Sequence, residues 1–349
     1  MTESELKPTP LHSMLQTKLG SGSVGEVWRA LAERGDVAIK FINQPDDPQQ
    51  RKSLETEMNA LRQLDHPAIP TLYDFDLDGE RPYISMEYVA GEPFHHLIAS
   101  GAIWQIGLER RLAILAQIAD AAAHLHAHGL IHRDIKPANL IGTDAPHLID
   151  YGIAADIGMP AAPAGTPFYM FPDDQPPDIV HDAFGFALTA YELLFGVHAI
   201  FTVQDGGRAR ADIQALAQQR LRDGAWRLPS RLPAHEVPYD LRGVDLARLD
   251  GVFASALDWR AAQPITPAAL IADLQAVVLT PENQPFLDAM PAWIASLARE
   301  SANEGASDGA TVHPPEPARA DLRFNRLLIA ALIVNGVAIV IIVILQTVL

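Results

Sequence analysis

Cysteine is absent from the 349 residues of this chain. Disulfides, thiolate metal sites and catalytic thiols are therefore excluded, and the absence agrees with a reducing compartment. Basic residues are also scarce, since 26 Lys and Arg stand against 43 Asp and Glu, for a net charge of −17. An acidic chain of this kind is a poor partner for nucleic acid, because phosphate backbones bind to basic surfaces.

The first ten residues, MTESELKPTP, lack the basic segment and apolar stretch that mark a secretory signal peptide. The chain also shows no internal repeat. Apolar residues make up 48% of the sequence, which is enough for a sizeable core and argues against global disorder. The length suits one large domain or two ordinary ones.

Charge is missing altogether from residues 327–349, LLIAALIVNGVAIVIIVILQTVL. As a helix this segment would be about 34 Å long, enough to cross a hydrocarbon core of about 30 Å. We expect a transmembrane anchor here, because a buried C-terminal helix rarely stays apolar on every side over this length. Asn335 leaves two interpretations open, a contact between spans in a homodimer or a single tolerated polar residue.

Basic residues precede this span at Arg319, Arg323 and Arg326. Their position predicts that the N-terminal part of the chain faces the cytoplasm, so that the protein is a single-pass, tail-anchored membrane protein. Between the span and the folded part, residues 299–326 are small, polar and Pro-containing. This composition predicts a flexible juxtamembrane linker.

The folded part divides by secondary-structure pattern. Residues 12–90 contain β-rich runs and one amphipathic helix, predicted over residues 51–64. Residues 91–298 are mainly helical, with helices predicted over residues 108–130 and 182–196. A small β-rich lobe followed by a larger α-rich lobe is the expected architecture.

Three glycines, Gly20, Gly22 and Gly25, stand in a G-x-G-x-x-G-x-V spacing within GSGSVGEV. Glycine permits a close approach of the backbone to phosphate oxygens. A dinucleotide-binding fold would need a helix directly after the third glycine, whereas the β-rich run EVWRAL follows. The context therefore favours a hairpin lying over a nucleotide.

A lysine in an apolar strand, Lys40 of VAIK, is costly unless its ammonium meets an anion. Glu57, on the predicted helix that follows, is the natural partner, while a lysine at a sheet edge reaching solvent is the alternative. Further on, HRDIKPANL and DYG place Asp134, Lys136 and Asn139 ahead of Asp150.

Taken in order, GSGSVGEV, VAIK, Glu57, HRDIKPANL, DYG and GTPFYMFPDD resemble a eukaryotic-type serine/threonine protein kinase over about residues 15–275. The resemblance implies an α+β bilobal fold with a small β-rich N-lobe, one key helix in that lobe, and a larger α-helical C-lobe. The Ala-rich composition is similar to that of bacterial members, which places the expected anchor in a bacterial inner membrane.

The resemblance also implies cofactors and roles. The cofactors are ATP and Mg²⁺, with Mn²⁺ as the alternative ion. The implied catalytic residues are Asp134, Lys136, Lys40, Glu57 and Thr166. The implied ATP-binding residues are Gly20, Ser21, Gly22, Ser23, Val24, Gly25, Val27, Ala38, Lys40, Met86, Glu87 and Val89. The implied metal ligands are Asn139 and Asp150.

Lys136 and the segment of Thr166 are similar to those of serine/threonine kinases, so Ser and Thr hydroxyls of proteins are the expected acceptors. Two other functions stay open. One is a pseudokinase that binds nucleotide and acts as a membrane-tethered scaffold. The other is an enzyme that phosphorylates small molecules, which Lys136 and Thr166 disfavour.

The sequence departs from the family pattern in its second half. Residues 150–172 offer no obvious hydroxyl for an activating phosphate, and we hypothesise that Asp156 meets Arg133 to order this loop. Asp173 stands where the family has a glutamate, and Arg260 is a candidate partner for it.

A metal site is a weaker alternative in HLHAHGLIH. His124 and His128 share one helical face, but no third ligand is spaced to complete a shell, so we expect packing histidines.

Overall fold

A computed structural model describes residues 15–22, 24–173, 176–261 and 265–280. Its first lobe is built on a five-stranded antiparallel sheet with the strand order β1-β2-β3-β5-β4. The strands are β1 Leu15–Ser21, β2 Gly25–Ala32, β3 Gly35–Ile42, β4 Leu72–Asp76 and β5 Tyr83–Glu87.

Strand β3 shows why this sheet has two different faces. Val37, Ile39 and Phe41 point to one face and form a small apolar cluster with Ala30 of β2. Residues 38, 40 and 42 point to the other face, because side chains alternate along a strand. That second face covers helix α1, Pro48–Leu61, and it carries Lys40.

Helix α1 begins where its sequence provides a cap. Asp47 accepts a hydrogen bond from the backbone N–H of Gln49 at 2.8 Å, and Pro48 occupies the first helical position. Leu54, Met58 and Leu61 are buried on the side that faces the core. Glu57 lies among these buried residues, so the packing of the helix fixes where its carboxylate points.

The second lobe is helical and follows the strand β5. Its helices are α2 Phe94–Ser100, α3 Leu108–Ala127, α4 Ile179–Phe195, α5 Arg210–Arg222, α6 Leu246–Ala256 and α7 Pro267–Val278. Two short β pairs lie between α3 and α4, and they hold the loops that carry the predicted catalytic residues. They are β6 Leu130–Ile131 with β9 Ala155–Asp156, and β7 Leu140–Ile141 with β8 His147–Leu148.

Helix α4 is the centre of this lobe. Nearly all of its residues from Asp182 onward are buried, as its apolar sequence predicts. The helix starts with a capping box, in which Asp178 and His181 bond each other's backbone N–H groups. It ends at Gly196, whose φ of 69° lies in the left-handed region that glycine adopts without strain.

A buried ion pair stabilises the base of the lobe. Arg111 of α3 is fully buried and donates to the carboxylate of Asp240, and also to the carbonyl oxygens of Leu193 and Leu194 at 2.8 and 3.2 Å. No sequence pattern indicates this pair, because residues 111 and 240 are remote in sequence.

The predicted order of a β-rich lobe followed by a helical lobe is confirmed in the described residues. The predicted helix over residues 51–64 lies three residues earlier, at Pro48–Leu61, and the Asp47 cap explains its start. The domain boundaries at residues 12–90, 91–298 and 299–326 stay predictions.

No helix within the described residues is long and apolar enough to cross a bilayer. The span predicted over residues 327–349 lies outside the described residues, as does the whole of the predicted linker.

Candidate active site

Asp134 is the centre of the candidate site, in the loop that follows β6. Its Oδ1 accepts the backbone N–H of Thr166 at 2.8 Å, and its Oδ2 accepts from Lys136 Nζ at 2.6 Å. The amide of Asn139 donates to both Oδ2 and the backbone carbonyl of Asp134, at 3.1 and 2.9 Å. Lys136 also donates to the hydroxyl of Thr166. The carboxylate is thus held in one orientation from three directions.

The backbone beside Asp134 is strained. Arg133 has a φ of 69°, which is unusual for a residue other than glycine. Asp182 of α4 stabilises this conformation, because its two oxygens accept the backbone N–H groups of His132 and Arg133 at 2.8 and 2.7 Å. His126 donates to the same carboxylate at 2.9 Å. A buried acid on the central helix therefore holds the loop that carries Asp134.

Lys40 connects the two lobes. Its ammonium donates to Glu57 Oε2 at 2.5 Å, as predicted, and also to Asp150 Oδ1 at 2.7 Å, which was expected only as a metal ligand. Lys40 and Glu57 are 12% and 2% exposed, whereas Asp150 is 47% exposed. The alternative of a lysine at a sheet edge reaching solvent is wrong.

The charges of this cluster shift one another's pKa values. The Lys40 ammonium lowers the pKa of Asp150 to about 2, so this carboxylate is ionised at any physiological pH. Burial lowers the pKa of Lys40, but Asp150 and Glu57 outweigh it and raise that pKa overall. Burial raises the pKa of Glu57, and the nearby ammonium offsets this rise in part. Asp150 therefore keeps its negative charge throughout the physiological pH range.

A serine outside the predicted site joins helix α1 to the segment of Asp150. Ser53 Oγ donates to the carbonyl of Gly152 at 2.9 Å. Asp150 itself has a φ of 68°, and the ring of Tyr151 is fully buried against His132 at 4.8 Å between centroids. No sequence pattern marks Ser53, because a single serine in a helix has many uses.

The glycine turn between β1 and β2 is closed by its own backbone. Gly22 N–H donates to Gly25 O at 2.8 Å, and Asn43 donates to Gly22 O at 2.9 Å. A Cβ on Gly25 would lie 2.1 Å from Phe41 O, so this position requires glycine. Nothing lies within 4 Å of a Cβ built at Gly20 or Gly22, which leaves this side of the turn open.

The predicted nucleotide-contacting residues fall in register across the sheet. Val27 of β2 pairs with Lys40, and Ala38 of β3 pairs with Met86 of β5. At the end of β5, the backbone N–H of Glu87 donates to Thr71 O at 2.9 Å. The backbone N–H and carbonyl of Val89 make no hydrogen bond within the described part of the chain.

Ser21 ends β1, and Val24 packs partly buried on the core. Ser23 lies outside the described residues.

The donor set fits a hard divalent cation. Asn139 uses its amide nitrogen to hold Asp134, and its side-chain oxygen accepts no hydrogen bond from the described residues. Likewise, one carboxylate oxygen of Asp150 accepts from Lys40, and the other accepts no hydrogen bond from the described residues. The backbone segments that carry these two residues lie side by side, since Ile149 N–H donates to Asn139 O at 2.9 Å. A carboxylate and an amide oxygen are ligands that Mg²⁺ and Mn²⁺ prefer.

Two hypotheses about the departures from the family pattern are wrong. The Arg133 guanidinium donates to the carbonyl oxygens of Ile153 and Ala162, at 3.3 and 2.6 Å, and not to Asp156. Arg260 stacks over the ring of Trp259 at 4.8 Å and does not pair with Asp173.

At the end of α3, His124 and His128 make ring contacts of the packing kind that the sequence predicts. The rings of His124 and His128 lie 4.4 Å apart, and His66 lies 5.3 Å from His124. Within the described ranges, no group of three or more His, Asp or Glu side chains is arranged to hold a metal ion.

Comparison with known proteins decides the family. The protein kinase domain model matches residues 14–238. The chain belongs to the protein kinase domain family. Membership in this family implies ATP and a divalent metal ion as cofactors, which agrees with the donor set described above.

Similar relatives of this protein kinase family member include bacterial proteins. The chain is 32% identical over 213 residues to the serine/threonine-protein kinase PkaB of Streptomyces coelicolor, covering 55% of this chain and 50% of that one. It is 33% identical over 198 residues to PknB of Mycolicibacterium smegmatis, covering 51% and 31%. It is 30% identical over 205 residues to Pkn1 of Myxococcus xanthus, covering 52% and 28%. The matched region thus spans half or less of each of these relatives.

Proposed function

We propose that this protein is an ATP-dependent serine/threonine protein kinase, which transfers the γ-phosphate to Ser and Thr hydroxyls of protein substrates. The observation that carries the proposal is the set of contacts around Asp134. Its carboxylate is held by the Thr166 backbone, Lys136 and Asn139, within a site that also contains the Lys40–Glu57–Asp150 cluster.

In this proposal Asp134 orients the acceptor hydroxyl and takes its proton. A carboxylate with an ordinary pKa of about 3.9 is a weak base, so orientation is its larger contribution. Lys136 lies 2.6 Å from Asp134 and adds positive charge where the transferred group must pass. The hydroxyl of Thr166, bonded to Lys136, holds that ammonium in place.

Lys40 positions the nucleotide phosphates, and Glu57 fixes Lys40. Bound ATP with Mg²⁺ or Mn²⁺ would supply the phosphoryl group and neutralise its charge, with Asn139 and Asp150 as the protein ligands. The open turn at Gly20 and Gly22 allows the backbone to approach phosphate oxygens.

A radiolabel assay tests this proposal. The full chain is incubated with ATP, Mg²⁺ and generic protein acceptors, beside an Asp134→Asn variant that keeps the hydrogen-bonding shape. We expect transfer to serine and threonine in the wild type and a loss of at least about 100-fold in the variant. Nucleotide binding without transfer above the variant would instead support a pseudokinase scaffold.

We also propose that residues 327–349 attach the protein to a membrane, with the folded part on the cytoplasmic face. The support is the uncharged apolar run and the three arginines that precede it. Fractionation of cells that express the full chain and a chain lacking residues 327–349 tests this. Recovery of both chains in the same fraction would reject the anchor.

A further inference from the structure

The peptide group between Gly165 and Thr166 makes hydrogen bonds at both ends. Its N–H, which belongs to Thr166, donates to Asp134 Oδ1 at 2.8 Å. Its carbonyl oxygen, which belongs to Gly165, accepts from the guanidinium of Arg210 at 3.1 Å. The carbonyl and the N–H lie in one rigid plane, so a rotation of this peptide would break both contacts together. Arg210, the first residue of α5, therefore reaches Asp134 through a single peptide group.

The local backbone does not determine the orientation of this peptide. Gly165 has a φ of 108°, and a Cβ at this position would lie 2.8 Å from the carbonyl oxygen of Arg133, so the position requires glycine. Glycine permits several orientations of the peptide that follows it, because it has no Cβ to exclude them. Residues 165–173 also form no helix or strand whose hydrogen bonds would fix the chain. The contacts at the two ends of the peptide must therefore decide which orientation is adopted.

Helix α5 holds the same segment at a second place. Gln214 donates to Asp173 O at 3.1 Å, and Gln218 donates to Pro172 O. Residues 210, 214 and 218 are four positions apart, so their side chains lie along one face of the helix. All three are partly buried. This face is a polar stripe, and each of its three side chains donates to a backbone oxygen of the segment.

The C-terminal end of α5 is fixed independently of this segment. Arg220 donates to both carboxylate oxygens of Asp205, at 2.7 and 3.1 Å, and to Ile200 O at 2.7 Å. Asp205 is buried and also accepts the backbone N–H of Thr202 at 2.8 Å. A helix that is anchored at this end and along its polar stripe gives Arg210 a defined position.

The contact from Arg210 is charge-assisted, which makes it stronger than a hydrogen bond between neutral groups. Arg210 otherwise contacts the sulfur of Met170 and pairs with no carboxylate in the described ranges. A cation at the carbonyl oxygen polarises the peptide and strengthens its N–H as a donor, since hydrogen bonds in a chain reinforce one another. The peptide dipole thus points its negative end at the guanidinium and its positive end at the carboxylate of Asp134.

Asp134 depends on this peptide for one of its two oxygens. Oδ2 accepts from Lys136 at 2.6 Å and from Asn139 at 3.1 Å, whereas Oδ1 accepts only the Thr166 N–H among the described residues. If the peptide turned, the carboxylate would be held at one oxygen and could rotate about its bond to Cβ. The acceptor hydroxyl would then lose its orientation, which is the larger contribution of Asp134.

We propose that Arg210 is a positioning residue for phosphoryl transfer, which holds the Gly165–Thr166 peptide so that its N–H is presented to Asp134. This inference rests on the proposed kinase function. It assigns to α5 an effect on the rate of transfer, although no side chain of this helix hydrogen-bonds to Asp134 itself. ATP binding should not depend on Arg210, because Lys40 and the glycine turn lie in the other lobe.

Steady-state kinetics provide the first test. The full chain is assayed with ATP, Mg²⁺ and a peptide that carries a single serine, as wild type, as Arg210→Met and as Arg222→Met. Arg222 is the matched control, since it lies on the same helix, is exposed, and its loss changes the net charge equally. Rates are expressed per nucleotide-binding site, counted by titration with a non-hydrolysable ATP analogue, so that unfolded chains do not contribute.

We expect Arg210→Met to lower kcat about tenfold and to leave KM for ATP unchanged, because one oriented hydrogen bond is lost and the nucleotide contacts are kept. Arg222→Met should behave as the wild type does. An Arg210→Met variant with the wild-type kcat would overturn the inference. A variant in which kcat and ATP affinity fall together would also overturn it, because that result indicates a general distortion of the site.

Nuclear magnetic resonance observes the peptide itself. Two Gly–Thr pairs occur in the chain, at residues 142–143 and 165–166. With ¹³C-carbonyl glycine and ¹⁵N-threonine, an HNCO spectrum of the full chain in detergent therefore contains two cross-peaks, which a Thr143→Ser variant assigns. We expect Arg210→Met to shift the 165–166 cross-peak upfield in both the carbonyl carbon and the amide proton, while the 142–143 cross-peak stays in place. Arg222→Met should move neither.

These spectra require no activity, so they separate this inference from the proposed function. If the wild type transfers no phosphate, the kinase proposal fails, while the cross-peaks still decide whether Arg210 holds the peptide on Asp134. A Thr166 amide proton that stays in place in Arg210→Met would overturn the inference, since Asp134 would then keep its bond without Arg210. Should Arg210→Met fail to fold, shown by a displaced 142–143 cross-peak, Arg210→Gln replaces it with the same expectations, because the glutamine amide is too short to reach Gly165 O.

Discussion

Ser53 Oγ lies 2.9 Å from the carbonyl oxygen of Gly152, and this hydrogen bond joins helix α1 to the segment of Asp150. A Cβ on Gly152 would lie 2.5 Å from Ser53 Oγ, while its next neighbours would be 3.6 Å away. The space at Gly152 is therefore limited by one side-chain oxygen.

We expect Gly152→Ala to reduce both phosphoryl transfer and stability, because the new methyl group must displace the Ser53 hydroxyl, whose hydrogen bond joins helix α1 to the segment of Asp150. A cost of about 1–3 kcal/mol in the free energy of unfolding is typical of overpacking. Adding Ser53→Ala removes the oxygen and should restore most of the loss, which thermal melts and transfer rates can measure. Equal defects in the single and double variants would show that the clash lies elsewhere.

Lys40→Met should affect stability as well as activity. It leaves the Glu57 carboxylate, which is 2% exposed, without its cation, and an unpaired buried charge costs about 3 kcal/mol. Transfer should fall at least about 100-fold, since the phosphates lose their positioning group. Denaturant unfolding and the radiolabel assay report the two effects separately.

The double variant Lys40→Met with Glu57→Gln distinguishes the two losses. Removing the stranded charge should recover most of the unfolding free energy, while activity stays lost. A single variant as stable as the wild type would contradict the argument, because it would mean that Glu57 is not stabilised by Lys40.

Glu192 of α4 should make stability depend on pH. Burial raises its pKa from the ordinary 4.5 to about 7, although the Tyr169 hydroxyl donates to it. Below pH 4.5 both the folded and the unfolded states hold the proton. Between pH 4.5 and about 7 the unfolded state releases the proton first, so this group lowers stability as pH rises, and its effect is constant above that window.

The size of this effect is about 3 kcal/mol across the window. Glu192→Gln keeps an oxygen for Tyr169 and cannot ionise. We therefore expect the variant to gain stability relative to the wild type as pH rises from 4.5 to 7. Unfolding curves at several pH values measure the difference, and a pH-independent difference would reject the raised pKa.

The buried pair of Arg111 and Asp240 should be sensitive to the loss of one partner. Arg111→Met leaves the Asp240 carboxylate buried without its cation and should lower the free energy of unfolding by about 3–5 kcal/mol. The double variant with Asp240→Leu replaces the pair by apolar groups and should recover much of that loss. Since neither residue contacts the site, the refolded double variant should transfer phosphate at the wild-type rate.

Sequence patterns predicted the elements of this protein well. The apolar stripe with Leu54, Met58 and Leu61 is the buried face of α1, and the apolar run from Asp182 is the buried part of α4. Helix ends were less accurate, since α1 begins at Pro48 through the Asp47 cap. The patterns succeeded where a periodic apolar face had to be buried, because that requirement is local.

Contacts that depend on tertiary packing were not predictable in this way. The Asp156–Arg133 hypothesis was wrong, because the Arg133 guanidinium is satisfied by carbonyl oxygens of its own loop. Ser53, Asn43 and Arg210 carry no motif, and their importance follows from their neighbours in space.

The amino-acid sequence by itself determined which chemical groups are present and in what order, including Lys40, Glu57, Asp134 and Asp150. The tertiary structure alone decided that Lys40 meets Glu57, 17 positions away, and Asp150, 110 positions away, within hydrogen-bonding distance. The physical reason is that local sequence restricts the backbone of neighbouring residues, whereas contacts between distant side chains depend on how helices and strands pack. In this protein that packing places one ammonium between two carboxylates from different lobes.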